Sequence, residues 1–312
     1  MRGTLLICAL AAVQAKVPKK GYNECERFIT TIYSSSVDDF YDAPNITLAQ
    51  RPELVKCRLT RTLSTYEIVG MTAVYAATSG NRTDWLAELL ARGGDPDARR
   101  AATGATRGDD DAFPLFIAAQ FNHVEAARLL IAAGARQEET MSGQAAINVA
   151  ANFGHWEIVA LLAESRPDLV DFVGVDELTG QRIGTPLVAA AGAGVKAQIA
   201  MLQFAQRKRA GVPLPSEDEA DYAKVIWTLV EHGADVNAQE TGGPTALINA
   251  ARNGKSLIVE ALLGEGADPN KPWLGSDFDG MTPAMIAAKH NHATAIEVLR
   301  LNGFGSGNCR KI

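Results

Sequence analysis

The side chains that could do chemistry are few, and most of them recur. His123, His155 and His292 stand in one local context, Asn122-His123, Gly154-His155 and Asn291-His292. An imidazole repeated in this way, without cysteine partners or zinc-ligand spacing, is expected to hydrogen-bond backbone rather than act as a base or a metal ligand. Asp109-Asp110-Asp111 could clip a cation, but a run of like charge in a loop reads first as a solvated stretch. Gly192-Ala193-Gly194-Val195-Lys196-Ala197 matches a dinucleotide-binding fingerprint by letters only, because it follows a helical pattern and not a strand. In Gly303-Phe304-Gly305-Ser306-Gly307 the serine is off the centre that a nucleophile elbow requires. No Ser/His/Asp or Cys/His arrangement is supported by order or turn context. The expectation is no catalytic residue, no cofactor and no metal.

The elements around these residues repeat as well. Gly280-Met281-Thr282-Pro283-Ala284-Met285-Ile286-Ala287-Ala288 leads to Asn291-His292 and to Ala295-Ile296-Glu297-Val298-Leu299. Thr245-Ala246-Leu247 leads to Ala250-Ala251, Gly254, Leu262-Leu263 and Gly266-Ala267-Asp268-Pro269-Asn270. Comparable series begin at Thr72, Phe113, Ala145 and Thr185, so the six starts are separated by 41, 32, 40, 60 and 37 residues. A threonine followed by an apolar run marks a capped helix N-terminus, with proline pre-set for the first turn. Paired alanines leave room for a neighbour, and paired leucines bury one face of a second helix. Asn81, Asn122, Gly154, Gly254 and Asn291 fall where a left-handed turn joins the two helices.

This series resembles the ankyrin repeat, a turn followed by two antiparallel helices over about 33 residues. The resemblance implies an all-α solenoid of helix-turn-helix units with hairpin finger loops. Three fingers are enlarged, around Arg99 to Asp111, Val173 to Gly184 and Lys271 to Asp279. A helical-hairpin insertion, about 203–221, interrupts one repeat after Gly194, breaks at Gly211-Val212-Pro213-Leu214-Pro215, restarts at Glu217 and rejoins the stack at His232-Gly233-Ala234-Asp235-Val236-Asn237. Residues 67–302 are read as the repeats, 16–66 as a degenerate helical N-terminal cap containing Phe28, Ile32, Val37 and Phe40, and 303–312 as a flexible tail. Pro52-Glu53-Leu54-Val55 reads as the start of an outer helix, and Arg166 replaces the usual glycine at the end of its repeat.

What the resemblance implies for function is a non-catalytic scaffold that binds a partner protein on a concave face of turn tips and inner helices. By position this puts Met71, Gln144 and Met281 before the inner helices, and Gln120, Phe121, Asn152, Phe153, Arg252 and Asn253 at their exposed ends. Phe121 and Phe153 are equivalent positions and stand as aromatic anchors or as packing between repeats. Trp273 and Phe278, on the third enlarged finger, form a second candidate patch unless the finger folds back onto the stack. The competing class is a small enzyme with its chemistry in residues 16–66 or in the insertion.

The compartment depends on the N-terminus. Thr4 to Val13 is an uncharged apolar run, followed by Val13-Gln14-Ala15 and basic Lys16, Lys19 and Lys20. It resembles a secretory signal peptide, residues 1–15, cleaved after Ala15, and it is too short for a stable membrane span. Export to a secreted, secretory-lumen or periplasmic location is the expectation; a buried N-terminal helix of a cytosolic regulatory protein is the alternative. After cleavage Cys25, Cys57 and Cys309 remain. Cys25 and Cys57 could close a disulfide or stand as buried thiols, and Cys309 could link chains, with the oligomeric state open. Asn45-Ile46-Thr47 and Asn81-Arg82-Thr83 are sequons, so Asn45 and Asn81 are possible glycosylation sites. A net charge of −6 and a pI near 5.5 argue against a nucleic-acid partner.

Overall fold

A computed structural model describes residues 22–34, 44–60, 70–99, 112–175, 180, 182–192, 219–240, 242–274 and 278–302. The proposed signal peptide, Val37, Phe40, Asp109 to Asp111, most of the insertion, and the tail with Cys309 lie outside them. The chain divides into two compact units, residues 1–137 and 138–312.

In the first unit the described helices are α1 (Glu24–Ser34), α2 (Pro44–Gln50), α3 (Ala73–Ser79), α4 (Thr83–Ala91), α5 (Pro114–Phe121) and α6 (Val124–Ala132), with a 3₁₀ turn at Pro52–Lys56. The 3₁₀ turn corrects the outer helix expected from Pro52. Packing runs in two layers: α1 on α3 and α3 on α5, beside α2 on α4 and α4 on α6. The helices α1 and α2 thus fill the inner and outer places of a missing repeat, which is what a cap must do. Asn23 and Glu26 close a reciprocal capping box at the start of α1, each backbone N–H bonding the other's side chain at 2.9 Å. Phe28, Ile29 and Ile32 are fully buried, with Phe28 edge-on to Trp85. A disulfide joins Cys25 to Cys57.

The second unit holds α7 (Ala146–Asn152), α8 (Trp156–Ser165), α9 (Pro186–Gly192), α10 (Glu219–Glu231), α11 (Ala246–Arg252), α12 (Ser256–Gly264), α13 (Pro283–Lys289) and α14 (Ala293–Leu301). Inner helices α7, α9, α11 and α13 pack in sequence, as do outer helices α8, α10, α12 and α14. Two short antiparallel hairpins, β1 (Thr140–Met141) with β2 (Gln144–Ala145) and β3 (Gly174–Val175) with β4 (Arg182–Gly184), form fingers. Past the insertion, α10, described from Glu219, takes the outer-helix place beside α9, packed between α8 and α12.

Three recurrent bonds explain the repeat motif. The expected left-handed turns are present, with φ of 53° at Asn81, 58° at Asn122, 61° at Asn291, 74° at Gly154 and 69° at Gly254. In each Gly-x-Asp-x-Asx finger the first Asp accepts the N–H two residues on, as Asp95 does from Asp97, Asp235 from Asn237 and Asp268 from Asn270. The second Asx reaches the next finger: Asp97 accepts from Arg136 N–H, and Asn237 from Asp268 N–H at 2.8 Å. Helix capping is less uniform than expected. The Thr72, Thr185 and Thr245 hydroxyls accept from the N–H three residues on, but Thr282 makes no such bond and its hydroxyl is left buried without a partner.

Candidate functional site

Two of the three recurring histidines, His123 and His292, bond backbone as their recurrence suggests. His123 Nδ1–H donates to the Thr78 carbonyl at 2.8 Å, and His292 Nε2–H to the Arg252 carbonyl at 3.0 Å, each reaching the end of the preceding inner helix. Tyr222 holds the same place on α10, and its hydroxyl donates to the Asn152 carbonyl at 3.1 Å. In the sequence Tyr222 falls in an apolar stripe with Val225, Ile226, Leu229 and Val230, and nothing there marks this role. A phenol can replace the imidazole because the place requires one donor on a flat ring.

Several candidate partner-binding residues are not at the surface. Met71 is 1% exposed: its carbonyl accepts from Leu59 N–H, so it sits inside the base of a finger. Gln120, Gln144 and Asn152 are also buried, because the last turns of α5 and α7 and the finger ahead of α7 are covered and not free. The exposed ends expected for Gln120 and Asn152, and the partner-facing place expected for Met71 and Gln144 ahead of the inner helices, are corrected. Asn253 is exposed, but its side-chain amide donates to the Gly192 and Asn249 carbonyls at 3.0 and 2.9 Å and so helps dock α11 on α9. Phe121, in the first unit, is 40% exposed and stacks on His123. Phe153, in the second, is half-buried and stacks on His155. Among the sequons, Asn45 and Asn81 are exposed and Thr47 is buried.

Trp273 is likewise a core residue. The enlarged finger folds back, so that the indole lies against Ile248 and Ile286 at 6% exposure and its Nε1–H donates to the Gly242 carbonyl. Backbone bonds Trp273 N–H to Met281 O and Gly280 N–H to Trp273 O close the finger base, as the Leu59 and Met71 pair does in the first unit. Phe278 stacks on Trp273 with ring centres 5.1 Å apart and stays half-exposed.

Around Phe278 the second unit gathers a group of side chains that no single motif announces. Arg252 at the end of α11 lies 5.7 Å over the Phe278 ring and 5.8 Å over that of Trp273. Lys289 Nζ at the end of α13 lies 4.4 Å over the Phe278 ring, and His290 packs beside it. Met285, one turn before Lys289, is 44% exposed, and Met281 is half-buried against the same cluster. Next to this group, the His290 and His292 rings stack, and Lys255 lies over the Tyr222 ring. The repeat pattern marked Arg252, Phe278 and Met281, but not Lys289 or Met285, since an inner helix reads as alanine-rich core.

Electrostatics elsewhere are those of an exposed surface. Arg166, in the place of the usual glycine, ends α8 with φ −139° and pairs with Asp168 and Glu138. Its guanidinium holds the Asp168 carboxyl below the usual carboxylate range by direct hydrogen bonds. Among the described residues no group of three His, Cys, Asp or Glu side chains could hold a metal, and no helix is long and apolar enough to cross a membrane.

Comparison with known proteins agrees with this architecture. The profile of the ankyrin repeats, in three copies, matches residues 71–173 and 218–307, well over half of the chain. The mitochondrial disaggregase of Bos taurus is 40% identical over 80 residues, 26% of this chain and 11% of the relative. The human mitochondrial disaggregase is 44% identical over 62 residues, 20% of this chain and 8% of the relative. The match therefore spans about a tenth of those proteins. The human ASB11 ankyrin repeat domain superposes with a TM-score of 0.53 at 19% identity, covering 75% of this chain and 83% of that one, which is a likeness of fold. Stacked helix pairs of this kind form a scaffold for protein–protein interaction, and the chain belongs to the ankyrin-repeat family.

Proposed function

We propose that the protein is a non-catalytic scaffold, exported from the cytosol, that holds a partner protein on the face built from inner helices and fingers. The observation that carries the reading is the group at the end of α11 and α13, where three segments bring Arg252, Phe278, Met285 and Lys289 together at the surface. An apolar side chain beside oriented cations is the composition of a binding hot spot. The Cys25–Cys57 disulfide supports an oxidising compartment, where such bonds persist. Asn45 and Asn81 are exposed for glycosylation there, and with Cys25 and Cys57 paired, Cys309 is the cysteine of the mature chain that remains to join a second chain.

Photo-cross-linking tests the scaffold reading. A photoreactive residue at position 121 or 285, on inner helices, is expected to trap one partner that positions 227 and 257, on outer helices, do not. Trapping only from 227 and 257 would move the interface to the other layer. Mass spectrometry of the mature protein tests export: a start at Lys16 and an oxidised Cys25–Cys57 pair are expected, whereas an intact N-terminus with free thiols would identify a cytosolic regulator.

A further inference from the structure

We infer that the Arg252–Phe278–Met285–Lys289 surface takes an acidic peptide segment of the partner, one with an apolar side chain among its carboxylates; this deepens the scaffold reading and rests on it.

The argument begins with the cations. Arg252 and Lys289 are both exposed, both lie over the Phe278 ring, and neither forms an ion pair among the described residues. An aromatic face fixes a cation in position without using its N–H donors. A guanidinium lying over a ring keeps its in-plane donors for a carboxylate, which it can meet bidentately. Two cations held on one ring therefore form a preorganised receptor, with less side-chain entropy left to lose on binding. Lys255 and the paired His290 and His292 rings extend the same edge of the unit.

Charge complementarity then selects the occupant. The chain as a whole carries −6, whereas around Phe278 the cations Arg252 and Lys289, with Lys255 nearby, outnumber the exposed carboxylate of its neighbour Asp279, so the cluster is not part of a general basic surface. A nucleic-acid backbone, which needs many neutralising contacts along its length, is poorly matched by two or three cations on an acidic protein. A short acidic segment is matched. Met285 lies four residues before Lys289, hence on the same helix face, and offers its exposed thioether to an apolar side chain between the carboxylates.

The test uses the full chain and a short fluorescein-labelled peptide alternating glutamate with leucine, followed by anisotropy, with a lysine–leucine peptide and a labelled single-stranded oligonucleotide as controls. The glutamate peptide is expected to bind, to weaken as salt rises, and to lose at least about tenfold in affinity in the Arg252→Gln, Lys289→Gln double variant. Because Arg252 also touches Trp273, thermal melting of the double variant accompanies the titration, and Lys289→Gln alone is the second variant, expected to weaken binding with an unchanged melting temperature. Absence of binding, equal binding of either control, or an affinity indifferent to both variants would overturn the acidic-segment inference. None of these results bears on cross-linking from position 285, so failure here and failure of the scaffold reading remain distinguishable.

Discussion

Gly254 shows how much one position can specify in this chain. It turns from α11 to α12 at φ +69°, and a Cβ added there would lie 2.5 Å from His292 Nδ1. Gly266 also has a positive φ, of 88°, but faces open space. Gly266→Ala should therefore cost only the left-handed conformation, about 1–2 kcal/mol. Gly254→Ala adds a clash with a ring fixed by its bond to the Arg252 carbonyl and should cost about 2–4 kcal/mol in chemical denaturation. Equal losses would mean that the His292 ring moves away freely. The left-handed turns were legible from sequence because only Gly and Asn tolerate them readily. Tyr222 in a histidine's place was not, because helical periodicity records its burial and not its hydroxyl. A smaller effect is expected at Asp168. Arg166 lowers its pKa, so the pair favours the fold above the ordinary carboxylate range and loses that contribution as pH falls through the lowered value. In Arg166→Ala the Asp168 titration followed by NMR should move up towards the ordinary range; no movement would show that the pair does not form in solution.

At the scale of elements, two threonines that look alike in sequence should behave differently. Thr245 caps α11 by accepting from Ile248 N–H, so Thr245→Ala should cost about 1 kcal/mol. Thr282 caps nothing, and Thr282→Val should cost little or stabilise, because it removes a buried hydroxyl without a partner. A comparable loss at both would refute the capping difference. The enlarged finger makes a stronger prediction. Trp273→Ala should destabilise by about 3–5 kcal/mol, since the indole covers Ile248 and Ile286. A variant that kept its melting temperature while losing its partner would restore Trp273 to the binding patch. Sequence spacing located the finger but could not say which way it folds, because both outcomes use the same residues. At the other end, the Cys25–Cys57 bond closes a separation of 32 residues and ties α1 to the 3₁₀ turn. Replacing both cysteines by serine should remove about 3–4 kcal/mol on the chain-entropy estimate, read as a lower unfolding midpoint.

For the molecule as a whole, the repeat was legible because one unit must recur for its apolar faces to be covered, and that recurrence survives insertions of different lengths. The candidate site was legible only in part. Arg252 and Phe278 stood out by position, whereas Met71, Gln120, Gln144 and Asn152 turned out to be buried by their neighbours, and Lys289 and Met285 acquire a role only through the finger that reaches them. The scaffold account rests on the inner layer being the recognising one. Its most direct test compares the affinity of Met285→Glu and Trp227→Glu for the cross-linked partner, per folded molecule. Both positions are half-exposed, at 44% and 50%, one on an inner helix and one on an outer helix, so neither change should lower the melting temperature much. The account predicts that Met285→Glu weakens binding at least about tenfold, as removal of an interface anchor does, while Trp227→Glu leaves it unchanged. Loss of binding in Trp227→Glu with full affinity in Met285→Glu would contradict it.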